Sequence, residues 1–159
     1  MGVEIERKFL VGDPSVVANL PGTIMRQGYL SIDPERTVRV RVAGRRAFLT
    51  IKGPASESGA SRAEYEYEIP VPDAEELLDR LALRPLVEKI RYRLAAGRLV
   101  WEIDIFSGEN DGLAVAEVEL PSEATAVPLP DWIGEEVTGD VRYYNASLVS
   151  HPYKEWGRA

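Results

Sequence analysis

The chain has no cysteine, only one histidine among its 159 residues, and no long apolar run. Without cysteine it forms neither disulfides nor the thiolate sites that bind zinc or attack substrates. No segment approaches the roughly 20 apolar residues that span a bilayer, and the first residues lack the apolar region of a secretory signal. A basic excess is also missing, and the net charge of −7 disfavours nucleic-acid binding. We therefore expect a cytoplasmic protein that binds neither nucleic acid nor membrane.

The composition is that of a folded domain, with 45% hydrophobic and 28% charged residues. A chain of this length buries a sizeable core and ordinarily forms a single unit. The sequence contains no internal repeat, and no low-complexity linker divides it. We therefore expect residues 1–159 to form one domain.

Alternating polar and apolar residues predict a series of short antiparallel strands. The predicted strands are 3–11, 23–32, 36–42, 47–52, 62–71, 86–94, 99–106 and 113–120. Helices are predicted at 16–20, at 74–81 and at 142–150, the last with Asp140 as its N-cap. The fold class is therefore mainly β (α+β), with a few flanking helices. Eight antiparallel strands in one unit favour a closed barrel, because closure removes exposed sheet edges.

The first predicted strand separates its side chains into a charged face and an apolar face. Because side chains alternate along a strand, Glu4, Glu6 and Lys8 share one face, opposite a face that begins with Val3 and Ile5. Carboxylate oxygens are hard ligands that suit Mg²⁺ or Mn²⁺. A lysine beside them is placed to hold an anion that accompanies the metal. The pattern is typical of a site for metal and phosphate together.

Later strands repeat this separation with the charges sorted by sign. The charged faces carry mainly bases on some strands and mainly acids on others: Arg39 and Arg41; Lys52; Glu64 and Glu66; Lys89, Arg91 and Arg93; Glu102 and Asp104; Glu117 and Glu119. A charged face of an antiparallel sheet ordinarily faces solvent. Solvent faces, however, usually mix charges with Ser, Thr, Asn and Gln, whereas these are almost purely charged. The sorting favours faces that point into a barrel and form a polar tunnel with acidic and basic sectors.

Such a tunnel suits a compact polyanion that is bound with a divalent metal. Two unit charges about 4 Å apart interact by roughly 4 kcal/mol at an effective dielectric constant of about 20. Several arginines and lysines are therefore needed to hold a chain of phosphates, whose oxygens match the arginine fork. Opposite carboxylates would hold one or two Mg²⁺ ions, which take up developing charge during phosphoryl transfer.

Short motifs in this order run along essentially the whole chain. They are Glu4-Ile5-Glu6-Arg7-Lys8, Gln27-Gly28-Tyr29-Leu30, Val38-Arg39-Val40-Arg41, Leu49-Thr50-Ile51-Lys52-Gly53, Glu64-Tyr65-Glu66, Glu88-Lys89-Ile90-Arg91-Tyr92, Trp101-Glu102-Ile103-Asp104, Ala116-Glu117-Val118-Glu119-Leu120, Glu136-Val137-Thr138-Gly139-Asp140 and Tyr143-Tyr144-Asn145. In this series the chain resembles the CYTH domain family, whose members are also called triphosphate tunnel metalloenzymes.

The resemblance implies an eight-stranded tunnel, a triphosphate-bearing substrate and dependence on Mg²⁺ or Mn²⁺. It implies metal ligation by Glu4, Glu6, Asp104, Glu117 and Glu119. It implies phosphate binding by Lys8, Arg39, Arg41, Lys52, Lys89 and Arg91. Within this set we expect Glu4, Asp104 and Lys89 to be catalytic, Lys89 by positioning the attacking water or assisting proton transfer. Tyr29, Glu64 and Glu66 are candidate lumen residues, and Arg93 and Glu102 belong either to the lumen or to its rim.

Activities in the family divide among inorganic triphosphatase, thiamine triphosphatase and adenylate cyclase. The short chain and its C-terminal pattern resemble most the bacterial tripolyphosphatase-like members. That resemblance implies hydrolysis of tripolyphosphate to pyrophosphate and phosphate by in-line attack of a metal-activated water. Thiamine triphosphatase, a class IV-type adenylate cyclase and a non-catalytic polyphosphate-binding module are the alternatives. The family also implies a homodimer, which apolar outer faces would permit.

Overall fold

A computed structural model describes residues 2–157, which form nine strands and two α-helices. The strands are β1 (Gly2–Val11), β2 (Gly22–Asp33), β3 (Arg36–Ala43), β4 (Arg46–Lys52), β5 (Ser61–Ile69), β6 (Val87–Ala96), β7 (Leu99–Ser107), β8 (Ala114–Glu119) and β9 (Ile133–Glu136). The helices are α1 (Val71–Arg80) and α2 (Ser147–Ser150). Short 3-10 turns lie at Pro14–Val17, Gly108–Asn110, Val141–Tyr143 and Tyr153–Glu155.

Eight antiparallel strands close into a ring in the order β5-β4-β3-β2-β6-β7-β8-β1. The ring closes because the start of β1 pairs with β5, so that Glu4 lies opposite Arg62. The rest of β1 pairs with β8, where Glu6 lies opposite Glu119. This ring confirms the predicted closed eight-stranded antiparallel fold. The ninth strand was missed: β9 pairs with β1 around Phe9, beyond the part of β1 that β5 covers.

Two tight hairpins set the register of neighbouring strands in the ring. Only two residues join β3 to β4 and β6 to β7, and each loop starts with a glycine at positive φ, Gly44 at 61° and Gly97 at 63°. Glycine in this position gives a two-residue loop whose twist matches that of the strands. The register that results places Arg39 opposite Thr50 and Arg91 opposite Asp104.

Much of the apolar core lies outside the ring, on the faces opposite the charges. Trp101 packs edge-on against Phe9 and Trp132, with ring centroids 5.6 Å and 5.5 Å apart. Elsewhere α1 buries Ala74 and Leu78 against β3 and β4, whereas Leu81 at its end is exposed. None of the helices within residues 2–157 is long and apolar enough to cross a membrane.

One end of the ring is filled by apolar side chains from the C-terminal segment. Tyr29, Val87 and Phe106 share strand faces with the charged residues but lie toward this end, where Leu148 and Val149 of α2 pack against them. Burial of these side chains stabilises the fold, because each Å² of apolar surface removed from water contributes roughly 25 cal/mol. The charged lumen is therefore a cavity with one closed end.

The helices predicted at 16–20 and at 142–150 are wrong in extent. The first is only the 3-10 turn Pro14–Val17, and the second divides into a 3-10 turn and the single turn of α2. Asp140 does cap the turn, since its carboxylate accepts a hydrogen bond from the backbone N–H of Arg142. The interruption falls at Tyr144, whose backbone is extended (φ −68°, ψ 134°). Contacts of this stretch with the end of the ring override its helical pattern.

Candidate active site

The lumen of the ring is a cavity of about 230 Å³ lined mainly by charged side chains. Every predicted site residue except Asp104 lines it: Glu4, Glu6, Lys8, Tyr29, Arg39, Arg41, Lys52, Glu64, Glu66, Lys89, Arg91, Glu117 and Glu119. Strand pairing brings residues that are far apart in sequence together, as Lys8 lies opposite Glu117 and Lys52 opposite Glu64. The alternation of each strand thus turns the charged faces inward.

Arg39 and Arg41 of β3 and Lys89 and Arg91 of β6 form a basic wall in which positive charges crowd one another. Burial lowers the pKa of Arg41 to about 10, and the neighbouring charges of Arg39 and Arg91 add to the shift. The Nε atoms of Arg39 and Arg41 are buried without a hydrogen-bond acceptor in the described part of the chain. Buried donors without acceptors are costly. An anion with several oxygen atoms would supply the missing hydrogen-bond acceptors.

Carboxylates crowd together where β1 meets β8. Burial raises the pKa of Glu6 well above its usual value, and the charges of Glu117 and Glu4 reinforce the shift. Burial raises the pKa of Glu117 as well, but the charges of Lys8 and Arg91 outweigh it and hold that pKa well below its usual value. Burial also raises the pKa of Glu119, with the charges of Glu4 and Glu102 adding to the effect. These groups repel one another and would be stabilised by a cation.

The carboxylates fit a divalent metal in chemistry and in adjacency. Their oxygens are the hard ligands that Mg²⁺ and Mn²⁺ prefer. The arrangement is not yet a coordination sphere, however, since no three acidic or histidine side chains among residues 2–157 are grouped closely enough to hold an ion. Glu4 instead accepts a hydrogen bond of 2.6 Å from Lys52 Nζ. An ion held by these carboxylates would compete with Lys52 for Glu4.

Asp104 lies behind the basic wall, apart from the carboxylates of β1 and β8. Its Oδ2 lies 2.7 Å from Lys89 Nζ, and Arg91 donates to both of its oxygens at 2.8 and 2.9 Å. Burial raises the pKa of Asp104, but the charges of Lys89 and Arg91 outweigh it and hold the pKa below its usual value. The aspartate thus anchors two cations that face the cavity.

Lys89 is nearly excluded from solvent yet reaches the cavity. Burial lowers its pKa to about 8 against the opposing charge of Asp104, and the charge of Arg91 adds to the lowering. A buried ammonium whose pKa is depressed will gain strongly from an incoming anion. Its position between Asp104 and the cavity suits a group that binds or orients phosphate.

The C-terminal segment supplies residues that were not assigned to the site from the sequence. Thr138, Gly139, Tyr144, Asn145 and Ala146 line the cavity together with Thr37, Thr50, Gly59, Arg62 and Glu102. The Tyr144 ring lies 5.6 Å from both Lys8 Nζ and the Arg62 guanidinium. Alternation with Glu64 was a signal for Arg62, whereas no periodic pattern identifies the C-terminal residues.

Glu102 and Arg93, which the sequence assigned either to the lumen or to its rim, occupy different positions. Glu102 lines the cavity and lies 3.4 Å from nitrogens of both Arg91 and Arg93. The Arg93 side chain is 71% exposed and belongs to the rim. Tyr29 lies at the floor of the cavity and packs in the apolar cluster, which favours a packing role over a phosphate contact.

Known proteins resemble this chain in sequence and in fold. The model of the CYTH domain family matches residues 2–153. A protein of Acetivibrio thermocellus named inorganic triphosphatase is 49% identical over 98% of this chain and 99% of its own length. A protein of Nitrosomonas europaea with the same name is 44% identical over 92% of this chain and 96% of its own length. A crystal structure of an inorganic triphosphatase has a TM-score of 0.63 and 40% identity, covering 92% of this chain and 97% of that one.

Proposed function

The chain belongs to the CYTH domain family, and we propose that it is a metal-dependent hydrolase that converts inorganic tripolyphosphate to pyrophosphate and phosphate. The observation that carries the proposal is the blind cavity in which a wall of arginines and lysines faces crowded carboxylates. Two relatives that are 44–49% identical bear the name inorganic triphosphatase, which supports the same activity here. We also propose that residues 1–159 form a single domain.

The basic wall would bind the phosphate chain. Arg39 and Arg41 have guanidinium nitrogens without acceptors, and Lys8, Lys52, Lys89 and Arg91 surround the same space. Charge-assisted hydrogen bonds to phosphate are about twice as strong as neutral ones. Because the walls are rigid strands, these donors are already oriented before the transition state forms, which lowers the reorganisation that catalysis requires.

The carboxylates Glu4, Glu6, Glu117 and Glu119 would hold a divalent metal, Mg²⁺ or Mn²⁺. Such an ion neutralises phosphate oxygens and lowers the pKa of a water molecule that attacks phosphorus. Glu64 and Glu66 would balance the charge of the basic wall, since Glu66 lies 3.6 Å from Arg39 and 3.8 Å from Arg41. We assign Asp104 the anchoring of Lys89 and Arg91 in place of a second metal, because all of its side-chain hydrogen bonds within residues 2–157 go to these two bases.

Lys89 would orient the terminal phosphate or the attacking water. Its ammonium is anchored by Asp104 at 2.7 Å while it borders the cavity. This geometry limits the lysine to few positions, and limiting the positions of reacting groups contributes to catalysis.

A comparison of substrates tests the proposal. Purified protein would be incubated with Mg²⁺ or Mn²⁺ and with tripolyphosphate, ATP or thiamine triphosphate, and phosphate release would be measured. We expect strong preference for tripolyphosphate and loss of activity in EDTA. Preference for thiamine triphosphate, or formation of cyclic AMP from ATP, would assign the alternative activities. Tight binding of tripolyphosphate without release from any substrate would identify a polyphosphate-binding module.

We also propose that two copies associate through the outer face of β1, β4 and β5. Val3, Ile51 and Tyr67 project from this face and are 63%, 36% and 57% exposed. Large exposed apolar side chains that cluster on one surface are typical of an interface. Light scattering would measure the mass in solution, and Tyr67→Glu should separate the copies while the cavity stays intact.

The cytoplasmic location is a prediction from the sequence.

A further inference from the structure

Asn145 links the C-terminal segment to the basic wall. Its Oδ1 accepts a hydrogen bond of 2.9 Å from Gln27 Nε2 and one of 3.3 Å from Lys89 Nζ. The residue also lines the cavity. Three side chains that are remote in sequence thus meet at the closed end of the lumen, on β2, on β6 and on the segment before α2.

The hydrogen bonds of Lys89 leave part of its ammonium for a ligand. An ammonium has three N–H donors. One is directed to Asp104 at 2.7 Å and another to Asn145 at 3.3 Å. Both acceptors belong to the protein, and the remaining donor is left to serve the cavity that Lys89 lines. Asn145 therefore limits the directions in which Lys89 is able to donate.

Lys89 and Gln27 together determine the orientation of the Asn145 amide. Lysine is only a donor, so the Asn145 oxygen must face it. Gln27 is fully buried, and its amide nitrogen donates to the same oxygen, which favours this orientation over the flipped one. The Gln27 Oε1 has no hydrogen-bond partner among residues 2–157. Gln27 thus keeps a buried unpartnered oxygen while it orients Asn145.

The Asn145 nitrogen is consequently turned away from Lys89. Across the described part of the chain, Nδ2 has no hydrogen-bond acceptor, and it is not among the polar atoms sealed from solvent. An amide N–H at the edge of a phosphate-sized cavity is a neutral donor for a phosphate oxygen. It adds a hydrogen bond without adding to the repulsion among the bases.

We propose, on the basis of the function assigned above, that Asn145 positions the Lys89 ammonium and donates its Nδ2 N–H to a phosphate oxygen, with Gln27 fixing the orientation of the amide. The C-terminal segment then does more than close one end of the lumen. It completes the phosphate-binding wall, so that closure of the end and formation of the site depend on the same residues.

The test measures tripolyphosphate binding by calorimetry in EDTA, together with kcat and KM in Mg²⁺ and with thermal unfolding. Asn145→Ala removes both hydrogen bonds and the free donor, so we expect affinity in EDTA to fall about tenfold, as for loss of a hydrogen bond to a charged group. Asn145→Asp keeps both acceptors but replaces the donor with a negative charge. We expect it to unfold at the wild-type temperature or above and to bind tripolyphosphate at least as weakly as Asn145→Ala.

A double-mutant cycle separates positioning from general support of the fold. Gln27→Met retains the length of the side chain but removes its donor, and it should weaken binding. Adding Gln27→Met to Asn145→Ala should cause no further loss, because Gln27 acts through Asn145. Asn110→Ala is the matched control: Asn110 is a fully buried asparagine outside the cavity that accepts from the Tyr153 N–H at 2.8 Å. It should lower the unfolding temperature and leave tripolyphosphate affinity unchanged.

The outcomes distinguish this inference from the proposed function. Wild-type affinity and kcat/KM in Asn145→Ala, or fully additive losses with Gln27→Met, would overturn the role of Asn145 while hydrolysis by the wild type stands. Loss of affinity in these variants, with no hydrolysis by the wild type, would support the role of Asn145 and overturn the hydrolase. Absence of tripolyphosphate binding by the wild type would overturn both.

Discussion

Lys89 Nζ and Asp104 Oδ2 lie 2.7 Å apart, and each side chain is only 1% exposed. The pair therefore exists almost entirely out of water, on the inner face of β6 and β7. Taking two charges out of water costs several kcal/mol for each ion, which their attraction repays only when the geometry is good. Arg91 shares the same aspartate, so Asp104 balances two cations.

Asp104→Asn should destabilise the fold. The substitution preserves the shape of the side chain but leaves Lys89 and Arg91 buried without their counter-charge, and breaking a buried pair in this way costs about 3–5 kcal/mol. Urea unfolding would measure the loss. A decrease in the free energy of unfolding below about 1 kcal/mol would contradict the anchoring role of Asp104.

Lys89 should titrate near neutral pH in the free protein. Burial lowers its pKa to about 8, so the ammonium loses its proton as the pH rises through this value, and affinity for tripolyphosphate should decrease over the same range. Nitrogen NMR of the lysine side chains would follow the titration. A bound polyanion favours the charged form, and we therefore expect a higher pKa in the complex. A pKa near the ordinary lysine value in the free protein would contradict this prediction.

Arg41→Met should separate activity from stability. Arg41 is crowded by Arg39 and Arg91 and has a buried Nε without an acceptor among the described residues. Its removal relieves repulsion, so the unfolding temperature should rise by a few degrees, a pattern known for strained active sites. Phosphate binding should suffer, and we expect kcat/KM to fall about 100-fold or more. Arg7→Met is the control, because Arg7 pairs with Glu136 at 2.8 Å outside the cavity. Equal losses of activity in both variants would contradict the assignment.

Gly59→Ala should disrupt the closed end of the lumen. A Cβ at Gly59 would lie 2.3 Å from the Gly139 Cα, and the φ of Gly59 is +80°. Gly97 also has a positive φ, of +63°, but a Cβ there meets nothing within 4 Å, so Gly97→Ala should cost only the backbone strain of about 1–2 kcal/mol. Thermal unfolding of the two variants would compare them, and Gly59→Ala should be clearly the less stable. Equal stability would mean that the loop before β5 moves freely away from Gly139.

The strand faces were predictable because they depend only on alternation. Glu6, Arg41 and Lys52 could be assigned to the lumen once the charges were seen to be sorted by strand, and antiparallel order follows from the short turns. The depth of a residue along the ring was not predictable. Asp104 has the correct face but lies behind Lys89, a position that depends on the register of β6 and β7.

The position of the C-terminal residues in the cavity could not be predicted from the local sequence pattern, for a different reason. Tyr144 interrupts a stretch with a helical pattern, and its extended backbone depends on contacts with the end of the ring, such as the hydrogen bond of 3.0 Å from Lys8 Nζ to the Tyr143 carbonyl oxygen. Asn145 reaches the cavity only as a result of that interruption. Tertiary contacts override local propensity in such segments.

The most direct test of the account is hydrolysis of tripolyphosphate by the wild type and by Glu6→Gln, followed by phosphorus NMR in Mg²⁺ and in EDTA. Glu6 is one of the crowded carboxylates, and glutamine relieves their repulsion, so the variant should fold with at least wild-type stability. We predict that the wild type releases equal amounts of pyrophosphate and phosphate in Mg²⁺ and none in EDTA, and that Glu6→Gln is nearly inactive. Wild-type turnover by a folded Glu6→Gln variant, or turnover that persists in EDTA, would contradict a metal-dependent site in this cavity.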